Sequence, residues 1–411
     1  MQRPHNPMPE SRYEVLALFT GSMVGACLIV MGTGPLLPFL ESSFHLAQTQ
    51  LGVVLSVQLV GALATTWIAG MLTDRFGDKL VVLWTGWFMG LSLIAASAVP
   101  EFGWLLFWLF LYGIGFAAVT PAGSHAIVFF FRKEERGFAM GIRQCGMPLG
   151  GVIASVLLPA IAAHFDYRWA VAAAGIATIV TSTIASALYR EPTELEGRRS
   201  SVRAMLAEMV AMLRDVRLVY ITITSMVLVS AQVAVMGFFT LALVQEASYS
   251  IARAALMFTI ATAGAIAGRL SWGWSSDHVF RGSRAVPLAL VCIVSAVTLL
   301  LIAYVTPATP AWWVVALAFF AGFSTIGWFG LVVVALAEIG GDEHAGSALG
   351  AGLTWCFAAS VAAPMIFGAI VETRGYPFAW LSTAALLAFG VAPALLASRV
   401  AHQFARSARA A

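Results

Sequence analysis

The sequence predicts an all-α membrane protein: twelve transmembrane helices in two pseudo-symmetric six-helix halves. Three observations carry that expectation. Charge is scarce, apolar runs of spanning length recur along the chain, and elements of the first half return six runs later. The 411 residues are 60% hydrophobic and 10% charged, whereas a water-soluble domain carries about a quarter charged residues. A net charge of +3, with no basic tract interleaved with aromatics, points away from nucleic acid as a partner. Cys27, Cys145, Cys292 and Cys356 fall inside apolar runs and match neither a disulfide framework nor a metal-ligand spacing.

A bilayer core of about 30 Å is crossed by roughly 20 apolar helical residues. By that standard the spans are 15–40, 49–72, 80–99, 103–131, 138–162, 168–189, 216–243, 251–276, 285–305, 312–338, 345–371 and 377–398. The first is too long for a signal-peptide core and lacks a cleavage site, so it is expected to be retained. The connections are short except between the sixth and seventh runs, which suggests halves at 1–190 and 216–411 and a cytoplasmic linker at 191–215. Inside the linker, Val202, Met205, Leu206, Met209 and Leu213 recur at helical spacing beside Arg203 and Arg214. That amphipathic stretch, 201–214, reads as a tether or a segment lying on the inner surface.

Charge bias sets orientation. With both termini in the cytoplasm, all of the 23 basic residues except Arg143, Arg168, Arg253, Arg269 and Arg374 fall on the inner side. That is the asymmetry expected of a bacterial cytoplasmic (inner) membrane protein. The internal repeats then fall at equivalent places. "GMLTDRFGDK" (70–79) closes the second run and "GWSSDHVFRG" (273–282) the eighth; "GFAAVTPAG" (115–123) is echoed by "GFSTIGWFG" (322–330). Duplicated halves commonly frame a substrate site in transporters.

With these motifs the chain resembles the major facilitator superfamily of secondary transporters along nearly its whole length. The family signature between spans two and three is similar to Gly70, Leu72, Asp74, Arg75, Gly77 and Lys79, with Asp78 where a base is usual. Gly273, Asp277, Arg281 and Gly282 form a weaker second copy. The resemblance implies that these residues govern closure of the inner gate. Glycines at 70 and 273 fit close helix approach, and Asp74 and Asp277 stand at helix ends where they can meet bases.

Sorting charged residues by depth leaves Arg143 and Arg269 as the deep cations, with no acid expected deep in a span. At 1.5 Å per residue, Arg143 lies roughly 10 Å inward of Arg136 and Arg269 about 12 Å from Asp277. A guanidinium left in hydrocarbon costs at least about 2.5–3.5 kcal/mol, so each is expected to face water, a partner or a ligand. An anionic small-molecule substrate fits, because the planar guanidinium fork matches a carboxylate. "GRLSWGWSSD" (268–277) is similar to the eighth span of monocarboxylate and oxalate transporters, which implies that Arg269 contacts a substrate carboxylate. "RGFAMGIRQCGMPLGG" (136–151) is similar to the sugar-porter fifth span, which places Gln144 where a substrate-orienting glutamine stands and Arg143 where an asparagine would be.

His125 is a candidate proton site, since histidine titrates near neutral pH. Gln58, Thr66, Gln232, Trp328 and Trp355 are candidate cavity liners. The expected function is secondary transport of a small organic anion by alternating access, proton-coupled or by exchange, with the bilayer as surroundings and a monomer as the working unit. The alternative is proton-coupled efflux of drugs or metabolites. No catalytic constellation, phosphate loop, metal cluster or cofactor motif is present in the sequence, so an enzyme is not expected.

Overall fold

The structure, a computed structural model, describes residues 9–119, 122–123, 126–127, 130–131, 136–190, 212 and 214–410. Regular structure among them is entirely helical. The helices are α1 (Pro9–Phe44), α2 (Gln48–Ser97), α3 (Phe102–Phe116), α4 (Arg136–Gln144), α5 (Gly146–His164) and α6 (Tyr167–Leu188). They continue as α7 (Val216–Glu246), α8 (Ile251–His278), α9 (Ala285–Ile302), α10 (Ala311–Ala321) and α11 (Phe329–Ala410), with a π-helical turn at Gly322–Ile326. The amphipathic stretch 201–214 falls almost wholly outside the described residues.

Ten segments are long and apolar enough to cross a membrane, and Phe102–Phe116 is a shorter apolar helix. Two expected spans are joined in one of the ten, Ala348–Val400, which has 53 residues. A straight helix of that length would run about 80 Å. Gly375, with φ +79°, interrupts it two residues before Pro377, and only glycine takes that backbone conformation without steric cost. Gly77 does the same inside α2, with φ 79° and ψ 165°. The fourth expected run, 103–131, is not one helix: α3 stops at Phe116 and the backbone turns through 117–119 and 122–123.

The chain divides into two compact units. One gathers Met1–His45 and Val57–Arg199, the other Leu46–Ser56 and Ser200–Ala411. In the first, α1 packs along α5 and α6. Gly25 and Gly32 make room there for Thr181 and Leu158, the small-residue packing that helices use where lipid supplies no hydrophobic drive. Thr178 donates to the Gly25 carbonyl at 3.0 Å, and Tyr112 to that of Ala26 at 2.5 Å.

In the second unit α7 packs against α11, and α8 against α10 and the π turn. Gly264 and Gly268 bring α8 onto the carbonyls of Phe319 and Phe323. Leu46–Ser56 belongs to this unit through backbone-close contacts. Gly52 lies against Pro364 and Met365, and Gly368 against Gln48 and Thr49. The Glu372 carboxylate accepts from the Thr49 amide at 3.2 Å and its hydroxyl at 2.5 Å, and Tyr376 donates to Gln48 Oε1 at 3.0 Å.

Large apolar side chains such as Trp84, Trp104, Trp169 and Phe389 are exposed. That is the surface expected of helices solvated by hydrocarbon.

Candidate functional site

In the first unit the polar centre is built from three segments. Gly77 turns the chain so that Asp78 enters the interior, where it is 0% exposed. Asp78 Oδ1 accepts from the Gly123 amide at 2.9 Å and Oδ2 from the Ala126 amide at 2.7 Å. Arg143, in the last turn of α4 and 1% exposed, donates Nη2 to the carbonyls of Val119 at 2.5 Å and Ala122 at 2.6 Å. It also feels the charge of Asp78.

The two ions thus grip the broken fourth span from both sides: the anion takes N–H groups and the cation takes C=O groups, the pairing that helix ends favour. This corrects the expectation that Arg143 and Arg269 are the charged residues of the interior, with Asp78 merely standing in the signature between spans two and three. Asp78 is wholly enclosed, and Arg143 has protein groups around it. The misreading has a local cause: positive φ at Gly77 redirects the next side chain, and periodicity does not register that.

Gln144, next to Arg143, is half-buried. Gly70, Thr66, Asp74 and Arg75 lie on α2, but their side chains are outside the described residues, as is His125 altogether.

In the second unit Arg269 is half-buried on α8, one residue from Gly268, which rests on the backbone of Phe323. Phe323 is in the π-helical turn, whose Gly327 amide reaches back to Gly322 O at 3.1 Å. Such turns loosen the carbonyl ladder and are frequent at functional sites. The Phe323 carbonyl accepts from Trp272 Nε1 at 3.0 Å, and the Thr325 carbonyl from Trp328 Nε1 at 2.8 Å. Trp328 is 0% exposed and Trp355 49% exposed, so the two candidate liners stand in opposite environments.

At the end of α8, Arg284 pairs with Asp277 and, at 2.9 Å, with Glu338. Burial would lower its pKa, but hydrogen bonds to Glu338 and Asp277 and their charges outweigh that and raise it. Sequence reasoning found Asp277 and missed Arg284 as the cation joining it to Glu338. Gly273 has open space where a Cβ would stand, so close helix approach is not what requires glycine there.

Each unit also buries a glutamine at mid-span. Gln58 is 2% exposed and donates Nε2 to Thr33 Oγ1 at 3.4 Å. Gln232, on α7, is 9% exposed. In both, Oε1 is buried and accepts no hydrogen bond. Among the described residues no group of three or more His, Cys, Asp or Glu could hold a metal.

A family model described as Major Facilitator Superfamily matches residues 19–364. An uncharacterized MFS-type transporter of Mycobacterium tuberculosis (strain ATCC 25618 / H37Rv) is 26% identical over 371 residues, 90% of this chain and 82% of that protein. The hexuronate transporter of Bacillus subtilis (strain 168) is 27% identical over 138 residues, 32% of this chain and 31% of that one. Among solved structures, a bacterial homologue of the human lysosomal transporter Spinster matches with TM-score 0.79 and 16% identity, covering 95% of this chain and 98% of that chain.

Proposed function

We propose that this chain, which belongs to the Major Facilitator Superfamily of secondary transporters, moves a small carboxylate across the membrane by alternating access, with Arg269 as the anchor for the anion. The supporting observation is a guanidinium half-buried within a spanning helix, beside a π-helical turn. A cation at that depth is a functional group by default, given the cost of placing it in hydrocarbon. The hexuronate named for one relative is itself a carboxylate. The cluster of Asp277, Arg284 and Glu338 steadies inner closure, with the Asp74 and Arg75 region as its counterpart. Transport is coupled to a proton or runs by exchange, in a bacterial inner membrane with both termini inside.

Arg143 takes a changed place in this reading. Its Nη2 is committed to two main-chain carbonyls, so it braces the broken fourth span and leaves anion binding to Arg269. The efflux alternative gains a buried carboxylate in Asp78, yet both oxygens of that group already accept main-chain amides. That carboxylate is 0% exposed and already acts on Arg143, so it is not a group standing open to a cationic cargo.

The test is a thermal-shift screen of the purified protein against carboxylates, followed by uptake into proteoliposomes. A ligand at 100 times its dissociation constant adds about 2.7 kcal/mol. Losing charge-assisted hydrogen bonds of about 1.5–3 kcal/mol in Arg269→Gln should weaken binding by roughly tenfold to a hundredfold. Undiminished uptake by that variant sinks the proposal.

A further inference from the structure

Helix α2 begins without a complete cap of its own. The Ala47 carbonyl accepts the first helical hydrogen bond, from the Leu51 amide at 3.1 Å, which puts Ala47 at the N-cap position. Alanine has no side-chain acceptor to offer there. Half of a capping box is nevertheless present: Gln50 reaches back with Oε1 to accept from the Ala47 amide at 2.8 Å. The missing half is an acceptor for the first turn, and Glu372 supplies it from α11. Its Oε2 accepts from the Thr49 amide at 3.2 Å and the Thr49 hydroxyl at 2.5 Å. Glu372 is exposed, so its carboxylate is ionised at neutral pH, and negative charge is favourable at a helix N-terminus.

A cap carried by a distant part of the chain lasts only while the two parts stay together. Leu46–Ser56 packs in the second unit, and from Val57 onward α2 belongs to the first. Gln48 is tied to the second unit as well: Tyr376 donates to its Oε1 at 3.0 Å, and its Nε2 donates to Gln245 Oε1 at 3.5 Å. When one unit moves against the other, as alternating access requires, either α2 bends near Val57 or the segment leaves α11 and its cap with it. A sharp bend there has none of its usual causes, because α2 holds no proline and its one non-helical residue is Gly77. Release is the easier movement, and it leaves the Thr49 amide without its acceptor.

We propose that Glu372 is a detachable cap and a positioning residue for transport: it holds Leu46–Ser56 seated on α11, and release of that segment opens this end of the protein. The cap favours the seated state by roughly twofold to thirtyfold, the range that N-cap removal implies. The inference rests on alternating access and not on the cargo being a carboxylate, and its assay needs no cargo.

Leu55→Cys serves as the reporter, since Leu55 is 7% exposed and lies on Gly237 of α7. A membrane-impermeant maleimide is applied to the full chain in proteoliposomes. Labelling of Cys27, Cys145, Cys292 and Cys356 is measured in the protein without the reporter and subtracted. Adding Glu372→Ala should speed reporter labelling by roughly twofold to thirtyfold, and Thr49→Val, which removes the hydroxyl alone, should speed it less. Ala47→Asp then separates a tie from a plain helix cap. Placed on Glu372→Ala, it caps α2 whether the segment is seated or released, so the thermal midpoint should recover while labelling stays fast. Labelling that returns to the reporter protein's own rate would mean that Glu372 serves the helix alone, and it overturns the inference. So does labelling unmoved by Glu372→Ala. Where Glu372→Ala does not fold, Thr49→Val with and without Ala47→Asp decides by the same two outcomes.

Discussion

Replacing Asp78 with Asn removes the charge while keeping the shape. One side-chain oxygen is left for two main-chain donors, now the Gly123 amide at 2.9 Å and the Ala126 amide at 2.7 Å. The new NH2 group donates, so one of these amides meets a donor and loses its partner. A hydrogen bond to a charged group contributes about 1.5–3 kcal/mol. The loss also strips Arg143, 1% exposed, of a nearby counter-charge, and leaving a buried ion uncompensated costs about 3–5 kcal/mol. Asp78→Asn should therefore destabilise the protein by about 3–5 kcal/mol. Arg143→Met should do comparable damage by freeing the carbonyls of Val119 and Ala122. Together the two should cost less than their sum by at least about 1 kcal/mol, because each single change strands the other ion. The assay is denaturant unfolding of the purified protein in detergent, followed by tryptophan fluorescence. Single variants within about 0.5 kcal/mol of wild type, or a pair additive to within about 0.5 kcal/mol, would refute the grip on the broken span.

Other consequences are more local. Gly368→Leu should weaken or abolish packing of Leu46–Ser56, since a side chain there meets the main chain of Gln48 and Thr49; a fall in thermal midpoint checks it, and Gly103→Leu, with open space around it, is the neutral control. Arg284→Met should cost only about 1 kcal/mol and lose its effect at high salt, because Asp277 and Glu338 are half exposed. Asp215 caps α7, accepting from the Arg217 amide at 2.8 Å. Burial would raise its pKa, but hydrogen bonds from Arg217 and its charge override that and hold it below the usual carboxylate range. A carboxyl depressed in the folded state stabilises above its unfolded pKa and loses that contribution as pH falls through the folded value. Unfolding of wild type should thus steepen below about pH 4, and Asp215→Ala, at a cost of about 0.5–2 kcal/mol, should remove that part of the slope.

Much of the fold is legible in composition and spacing because hydrocarbon imposes a simple rule: the chain must satisfy its own main chain, and helices of fixed length do so. Runs such as 216–243 and 251–276 reappear as Val216–Glu246 and Ile251–His278. What spacing does not carry is interruption. The break after Phe116 and the positive φ of Gly77 and Gly375 arise from single glycines and tertiary partners, and they leave the apolar run unchanged. Depth arithmetic placed Arg143 and Arg269 alike, yet their surroundings differ. Arg143 meets the carbonyls of Val119 and Ala122 at the broken span, whereas Arg269 is half-buried on α8 next to Gly268, which rests on the π turn. Asp78 was misplaced for the same reason. Its register is that of an inner loop, and one residue with left-handed backbone geometry turns it inward.

The most direct measurement is uptake of a labelled small carboxylate, chosen from the thermal-shift screen, into proteoliposomes holding wild-type, Arg269→Gln or Arg143→Met protein. The account predicts saturable uptake by wild type and a loss of affinity of tenfold or more in Arg269→Gln at near-normal stability, with Arg143→Met failing chiefly through instability. Uptake unchanged in Arg269→Gln, or a stable Arg143→Met protein that has lost all affinity for the acid, would contradict it.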